Sequence, residues 1–130
     1  MLPNLFLLFN HALTPEQRAD ARASLEAGEV VEPPEALRGL WSNLPPESEG
    51  LFDFLAPIRQ WLAGNARPGD FVLIQGDFGA CWLMVRYARD NGLRPVYSTT
   101  RRQAEELHQP NGTVKLVHHF RHVRFREYGK

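Results

Sequence analysis

Apolar and polar positions alternate along the chain in two rhythms, and the rhythm changes at glycine and proline. Residues 4–9 are nearly all apolar, with Leu5-Phe6-Leu7-Leu8-Phe9 at their centre. Such a run reads as a central parallel strand buried on both faces. After Asn10-His11, Thr14-Pro15-Glu16-Gln17 supplies a helix N-cap, a proline in the first turn and a glutamine three residues beyond the cap. This predicts a helix from Pro15 to Ala27, closed by Gly28, then a short strand over Glu29-Val30-Val31-Glu32 before Pro33-Pro34.

A short helix is expected over Glu35 to Trp41, interrupted by Asn43-Leu44-Pro45-Pro46-Glu47. Leu51, Phe54, Leu55, Ile58, Trp61 and Leu62 then form one apolar stripe at helical spacing. Pro57 lies inside that stripe, so the helix is either kinked there or restarts with Pro57 in its first turn. Gly64-Asn65 end it. The next strand, Phe71 to Gln75, leads into Gly76-Asp77-Phe78-Gly79, after which Ala80, Leu83, Met84, Tyr87 and Ala88 mark the buried face of a helix ending at Asn91-Gly92.

A fourth strand is expected over Leu93 to Ser98, with Thr99-Thr100-Arg101-Arg102 opening a polar helix through Leu107. Pro110-Asn111-Gly112 is a turn, and Val114 to Phe120 with Val123 to Tyr128 form one bent strand or two short ones. This alternation of strands and helices predicts one α/β domain over residues 1–130, Rossmann-like, with a mainly parallel sheet flanked by helices. No internal repeat or low-complexity segment is present.

Composition sharpens this picture in two ways. The 130 residues are 43% apolar, enough for one core, and Cys81 is the only cysteine. A lone cysteine excludes an intrachain disulfide framework and a cysteine-based zinc site, and fits a reducing compartment. The apolar run near the start has no basic flank before it and is too short to span a bilayer. A soluble, cytoplasmic protein without membrane partners is expected.

Charge is zero overall but unevenly spread. Residues 1–60 carry four Arg against nine carboxylates, and residues 61–130 carry eleven Arg or Lys against six. A basic second half containing the glycine turn suits a phosphate-bearing ligand. Interleaving of the two halves in the fold would mix these charges on one surface.

In open α/β sheets ligands sit beyond the carboxyl ends of the strands. Three such ends carry chemistry: Asn10-His11; Gln75, Gly76, Asp77, Phe78 and Gly79; and Ser98, Thr99, Thr100, Arg101 and Arg102. Together they offer amides, an imidazole, hydroxyls, guanidiniums and glycine N–H groups, a set suited to phosphate and a base edge. Each has a plainer reading beside this one: His11 as a loop histidine, Asp77 as a turn stabiliser, the threonines as caps, and the arginines as solvated charge.

The tail Val117 to Arg126 adds His118, His119 and His122 among three arginines. His118 and His122 have a spacing that binds zinc on a helix, but the β-branched and aromatic content argues for a strand, and no metal site is expected. One face of such a strand, carrying His118 or His119, would add a basic wall to the ligand site.

Taken as a set, Leu5 to His11 with Leu13-Thr14, Leu40-Trp41 with Pro45-Pro46, Gln75 to Gly79, Pro95 to Arg101, and His118 to Tyr128 resemble a small CRISPR-associated Csx-type protein of type III systems, related to the CARF domains and their ring nucleases. The resemblance spans nearly the whole chain, with Cys81-Trp82 departing from it. It implies a CARF-like domain that binds and cleaves cyclic oligoadenylate, most readily cyclic tetra-adenylate, to end type III antiviral signalling. It further implies a homodimer matching the ring's two-fold symmetry, with no cofactor and no long nucleic acid as partner. Without a convincing metal cluster, cleavage would proceed by attack of a ribose 2′-OH. The candidate catalytic groups are His11, Arg101 and Arg102, with His118 or His119 in reserve; Asn10, Gln75, Gly76, Asp77, Phe78, Gly79, Ser98, Thr99 and Thr100 would bind ligand. Two alternatives remain: a non-catalytic sensor or sponge for the same ring, and a nucleotide- or flavin-binding Rossmann-like module.

Overall fold

Two apolar tetrapeptides, Leu5–Leu8 (β1) and Phe71–Ile74 (β3), lie side by side in parallel register at the centre of the sheet. All eight residues are buried, as their lack of alternation requires. The computed structural model describes residues 1–130. Around this pair the sheet has the order β2-β1-β3-β4-β5, with β2 at Val30–Val31, β4 at Arg94–His108 and β5 at Val114–Glu127. Pairing is parallel from β2 to β4 and antiparallel between β4 and β5. The fold is a single-domain, Rossmann-like α/β sheet flanked by four helices.

Two cores sandwich the sheet, and neighbouring residues of the central strands serve opposite ones. Leu5, Leu7, Phe71 and Leu73 pack with Ala21 of α1 (Pro15–Ser24). Phe6, Leu8, Val72 and Ile74 pack with α2 (Glu35–Ser42), α3 (Ala56–Asn65) and α4 (Phe78–Asp90) through Trp41, Ile58, Leu62 and Met84. Each such fully buried Leu, Ile or Phe contributes about 1.5–3 kcal/mol. Chain order reverses between β1 and β3, which makes their carboxyl ends the switch point where α/β sheets open a crevice.

Several local expectations are realised as drawn. Thr14 and Gln17 form a reciprocal capping box on α1, and Pro57 lies in the first turn of α3, so the helix restarts there instead of kinking. Others differ. α1 stops at Ser24, and Glu26, not Gly28, takes the left-handed turn, with φ 55°. That turn directs the Ala27 N–H to the Ala21 carbonyl at 3.1 Å.

The largest correction concerns residues 99–107, which are strand and not a polar helix. Gln103, Ala104, Glu105, Glu106 and Leu107 are good helix formers, yet each pairs with β5, from Gln103↔His119 to Leu107↔Lys115. The β-rich partner overrides local propensity, as cross-strand packing commonly does. The result is a long hairpin closed at Gly112 (φ +85°), and β5 is one strand bent by a bulge opposite Thr99 and Thr100. Because β4 runs parallel to β3, the hairpin projects past the carboxyl edge of the sheet.

Candidate functional site

Beyond the end of β3, the Gln75 carbonyl accepts a hydrogen bond from the Trp41 indole N–H at 3.0 Å, and the Gln75 side-chain oxygen accepts one from the Ser98 N–H at 2.7 Å. Regular β3–β4 pairing has already ended at Leu73↔Val96, so the Gln75 side chain continues the sheet where the strands diverge. Gly76 fits beneath Trp41: a Cβ there would meet the indole Nε1 at 3.0 Å. The glycine is demanded by this packing. Asp77 caps α4 by accepting from the Ala80 N–H at 2.9 Å, so its carboxylate serves the turn. The N–H groups of Phe78 and Gly79, in the first turn of α4, donate to no protein group.

These residues open onto a cavity of about 520 Å³ lined by Gln75, Gly76, Phe78, Cys81, Trp82, Val85, Tyr97 and Tyr128. Phe78 and Trp82 stand one helical turn apart at its rim, 95% and 61% exposed. Tyr97 and Tyr128 form the far wall with ring centroids 4.8 Å apart. The Tyr128 hydroxyl donates to the Ile74 carbonyl at 2.5 Å. Burial, with the neighbouring Cys81 and Tyr97, pushes its pKa up to about 12, so it is a neutral donor at physiological pH. Burial likewise raises the Cys81 thiol, against the lowering effect of the Gly76 backbone. Exposed aromatics and free N–H groups make a site able to stack a base and receive a phosphate.

The structure divides the remaining sequence candidates between the two faces of the sheet. Arg101 shares the face of Tyr97 and stands four residues farther along β4, about 13 Å beyond it. Arg102 points to the opposite face, toward the side occupied by α1. Neither is at a strand end, because β4 continues to His108. His118 and His119 are on the projecting hairpin and do not line the cavity: His118 accepts from Arg102 Nε at 3.2 Å, and His119 pairs with Glu105 at 2.9 Å on the other face. Thr99 exchanges hydrogen bonds with the Arg124 backbone at the bulge, and Thr100 pairs with His122. His11 packs edge-on against Phe9, whose contacts are with the α1-side core, while Asn10 accepts from Ser42 at 3.4 Å.

Ser98 is a further correction, since its side chain is buried beneath α1. Its hydroxyl lies 2.6 Å from His122 Nδ1 and accepts from the Gln17 amide at 3.3 Å, while His122 Nε2 lies 2.6 Å from Asp20. Hydroxyl, imidazole and carboxylate stand in the order of a nucleophilic relay. The His122 side chain is 4% exposed and Ser98 is buried, however, so the chain ties β4 and β5 to α1. No group of three His, Cys, Asp or Glu side chains is arranged to hold a metal.

The cavity residues that sequence reasoning missed are Cys81, Trp82, Val85, Tyr97 and Tyr128. One signal was present: Phe78 and Trp82 recur at helical spacing off the buried stripe of Ala80, Met84 and Ala88, which marks an apolar pair facing solvent.

The fold is a small Rossmann-like α/β domain with a projecting β-hairpin and an aromatic-lined cavity beyond the end of β3. The chain belongs to the Uncharacterized protein MJ1673 family, whose match covers residues 3–126. It is 45% identical over 127 residues to "Uncharacterized protein MJ1673" of Methanocaldococcus jannaschii, covering 98% of each chain. No solved structure matches it. No helix is long and apolar enough to cross a membrane.

Proposed function

We propose that this protein binds a cyclic oligoadenylate, cyclic tetra-adenylate above all, at the carboxyl end of its sheet and opens the ring by metal-independent 2′-OH attack. The observation that carries the reading is the pairing of free Phe78 and Gly79 N–H groups with the exposed rings of Phe78 and Trp82 at one cavity mouth. A nucleotide ring presents what these groups receive: phosphates for the N–H donors and adenines for the aromatic faces. Arg101, on the cavity face of β4, supplies positive charge above the site. The two-fold symmetry of the ring fits one half-site per protomer of a homodimer.

In the cleavage step the ribose 2′-oxygen bonds to the adjacent phosphorus as the bond from phosphorus to the 5′-oxygen breaks. The 2′-hydroxyl proton leaves to a base and the 5′-oxygen gains a proton, giving a 2′,3′-cyclic phosphate and a 5′-OH. Protein groups align this attack and stabilise charge on phosphorus, Arg101 being the cation for that task. His11 is the candidate proton carrier, an imidazole being a side chain that can both take and give a proton.

A second reading, binding without cleavage, is favoured by one placement: His11 packs on the α1 side of the sheet, whereas the cavity opens on the α4 side. Incubating the protein with cyclic tetra-adenylate in EDTA and resolving products by mass separates the two. Linear products ending in a 2′,3′-cyclic phosphate support cleavage, and tight binding of intact ring supports the second reading. Neither binding nor products would overturn both. Trp82→Ala and Arg101→Ala should each weaken binding about tenfold or more if the stacking and charge assignments hold.

A further inference from the structure

The connection between α2 and α3 builds a second cavity against the first. α2 ends at Ser42, and Pro45-Pro46 cannot carry it further. The loop beyond is held by the Ser48 N–H, which donates to the Pro45 carbonyl at 3.3 Å, and by the Ser48 hydroxyl, which donates to the Gly50 carbonyl at 2.6 Å. Between this loop and the first turns of α4 lies a space of about 400 Å³, walled by Pro45, Pro46, Leu51 and Leu83 and edged by the Glu49 and Asp77 carboxylates.

Trp82 lines both cavities. At about 100° per residue around α4, Phe78 and Val85 fall to one side of Trp82 and Gly79 and Leu83 to the other, so the indole is the wall that the two spaces share. Their charges differ. The first cavity has no carboxylate, whereas the second has two and no Lys, Arg or His. Carboxylates accept hydrogen bonds and repel phosphate, so the second cavity suits a flat, uncharged ring that carries N–H donors. An adenine offers these in its 6-amino group. Asp77 Oδ1 already accepts from the Ala80 N–H, which leaves Oδ2 and the Glu49 carboxylate, a group in no ion pair, to receive them.

We infer that the second cavity is a base subsite: two adenines joined by one phosphodiester occupy the two cavities on either side of Trp82, with Glu49 receiving the amino group of the second. The inference rests on the nucleotide reading of the first cavity and adds to it a second base, its pocket and its selector. Phe78 lines the first cavity and Gly79 the second, so the linking phosphate passes their free N–H groups.

Equilibrium binding to the full chain tests this with deoxyribose dinucleotides, which lack the 2′-hydroxyl and are not cut. The two-adenine dinucleotide should bind about tenfold or more tighter than the same phosphodiester with either base removed. Replacing adenine by purine, which lacks the amino group, should weaken binding at one of the two positions, and Glu49→Ala should cancel most of that difference with an unchanged circular dichroism spectrum. One-base and two-base ligands bound equally, with cyclic tetra-adenylate still bound, would overturn the second subsite and leave the reading of the first cavity standing. A purine penalty that Glu49→Ala does not change would overturn the assignment of Glu49. Failure of cyclic tetra-adenylate and of every dinucleotide to bind would overturn the subsite together with the reading it rests on.

Discussion

His122 Nε2 lies 2.6 Å from Asp20 Oδ2, joining β5 to α1 across 102 positions of sequence. The other imidazole nitrogen, Nδ1, lies 2.6 Å from the Ser98 hydroxyl, so one ring bridges α1 and β4. The bulge in β5 makes this possible. His122 and Phe125 are three residues apart and would face opposite sides of a regular strand, but the extra residue brings both toward α1, with ring centroids 4.6 Å apart.

Replacing His122 by Ala should therefore destabilise the protein by about 2–3 kcal/mol, because it removes one hydrogen bond from each of Asp20 and Ser98 and empties the space of a buried ring packed against Phe125. Chemical denaturation measures this. Hydrogen exchange should show faster opening at residues 98–100 and 122–125 than in β1 and β3. A loss below about 0.5 kcal/mol would contradict a tie through His122.

Acid should loosen the same region. Burial raises the Asp20 carboxyl, but hydrogen bonds from Ser24 and His122, with the charges of His122 and Arg124, outweigh it and hold the group below its ordinary value. Hydrogen bonds from Arg94 and Lys130 do the same for Glu127. A carboxyl whose folded pKa is depressed contributes stability that is complete above its unfolded value and lost as pH falls through the folded one. Unfolding free energy should be flat from neutrality down to about pH 5 on account of these groups and decline below about pH 4. Asp20→Asn should flatten part of that decline in a urea titration series.

The two glycines of the turn should respond differently to alanine. A Cβ on Gly76 would stand 3.0 Å from Trp41 Nε1, against a side chain held by its own hydrogen bond, so Gly76→Ala should destabilise by about 1–3 kcal/mol. A Cβ on Gly79 would meet only Asp77 Oδ1 at 3.4 Å and Leu51 at 3.9 Å, ordinary contact, and Gly79→Ala should leave the melting temperature within about 2 °C of wild type or raise it. Any loss of ring binding in Gly79→Ala then reports on the site and not on the fold. Thermal melts beside equilibrium binding separate the two effects.

Glu26 holds a left-handed conformation, φ 55°, that suits glycine better. Glu26→Gly should raise stability by about 0.5–1 kcal/mol, read as a melting temperature a few degrees higher. An unchanged or lower value would mean that Glu26 contributes more than its backbone strain removes.

Much of the fold was legible because burial on both faces leaves a direct mark on sequence. Leu5 to Leu8 and Phe71 to Ile74 could be nothing but central strands, Thr14 to Gln17 announced a helix start, and the glycine turn announced the crevice. The run from Thr99 to Leu107 was not legible, because its helix-forming residues become a strand only through partners eight to twenty-five positions later. The same hidden pairing scattered the proposed site. Arg102 and His118 were assigned by chain position to a ligand wall, but strand alternation turns them away from it, while Tyr97 and Tyr128 meet at the cavity only once β4 and β5 are adjacent. Local pattern determined which segments are buried and where they turn, since those depend on near neighbours. Which side chains share a face, and so which chemistry meets, was decided by strand register and one bulged residue, which no local pattern encodes.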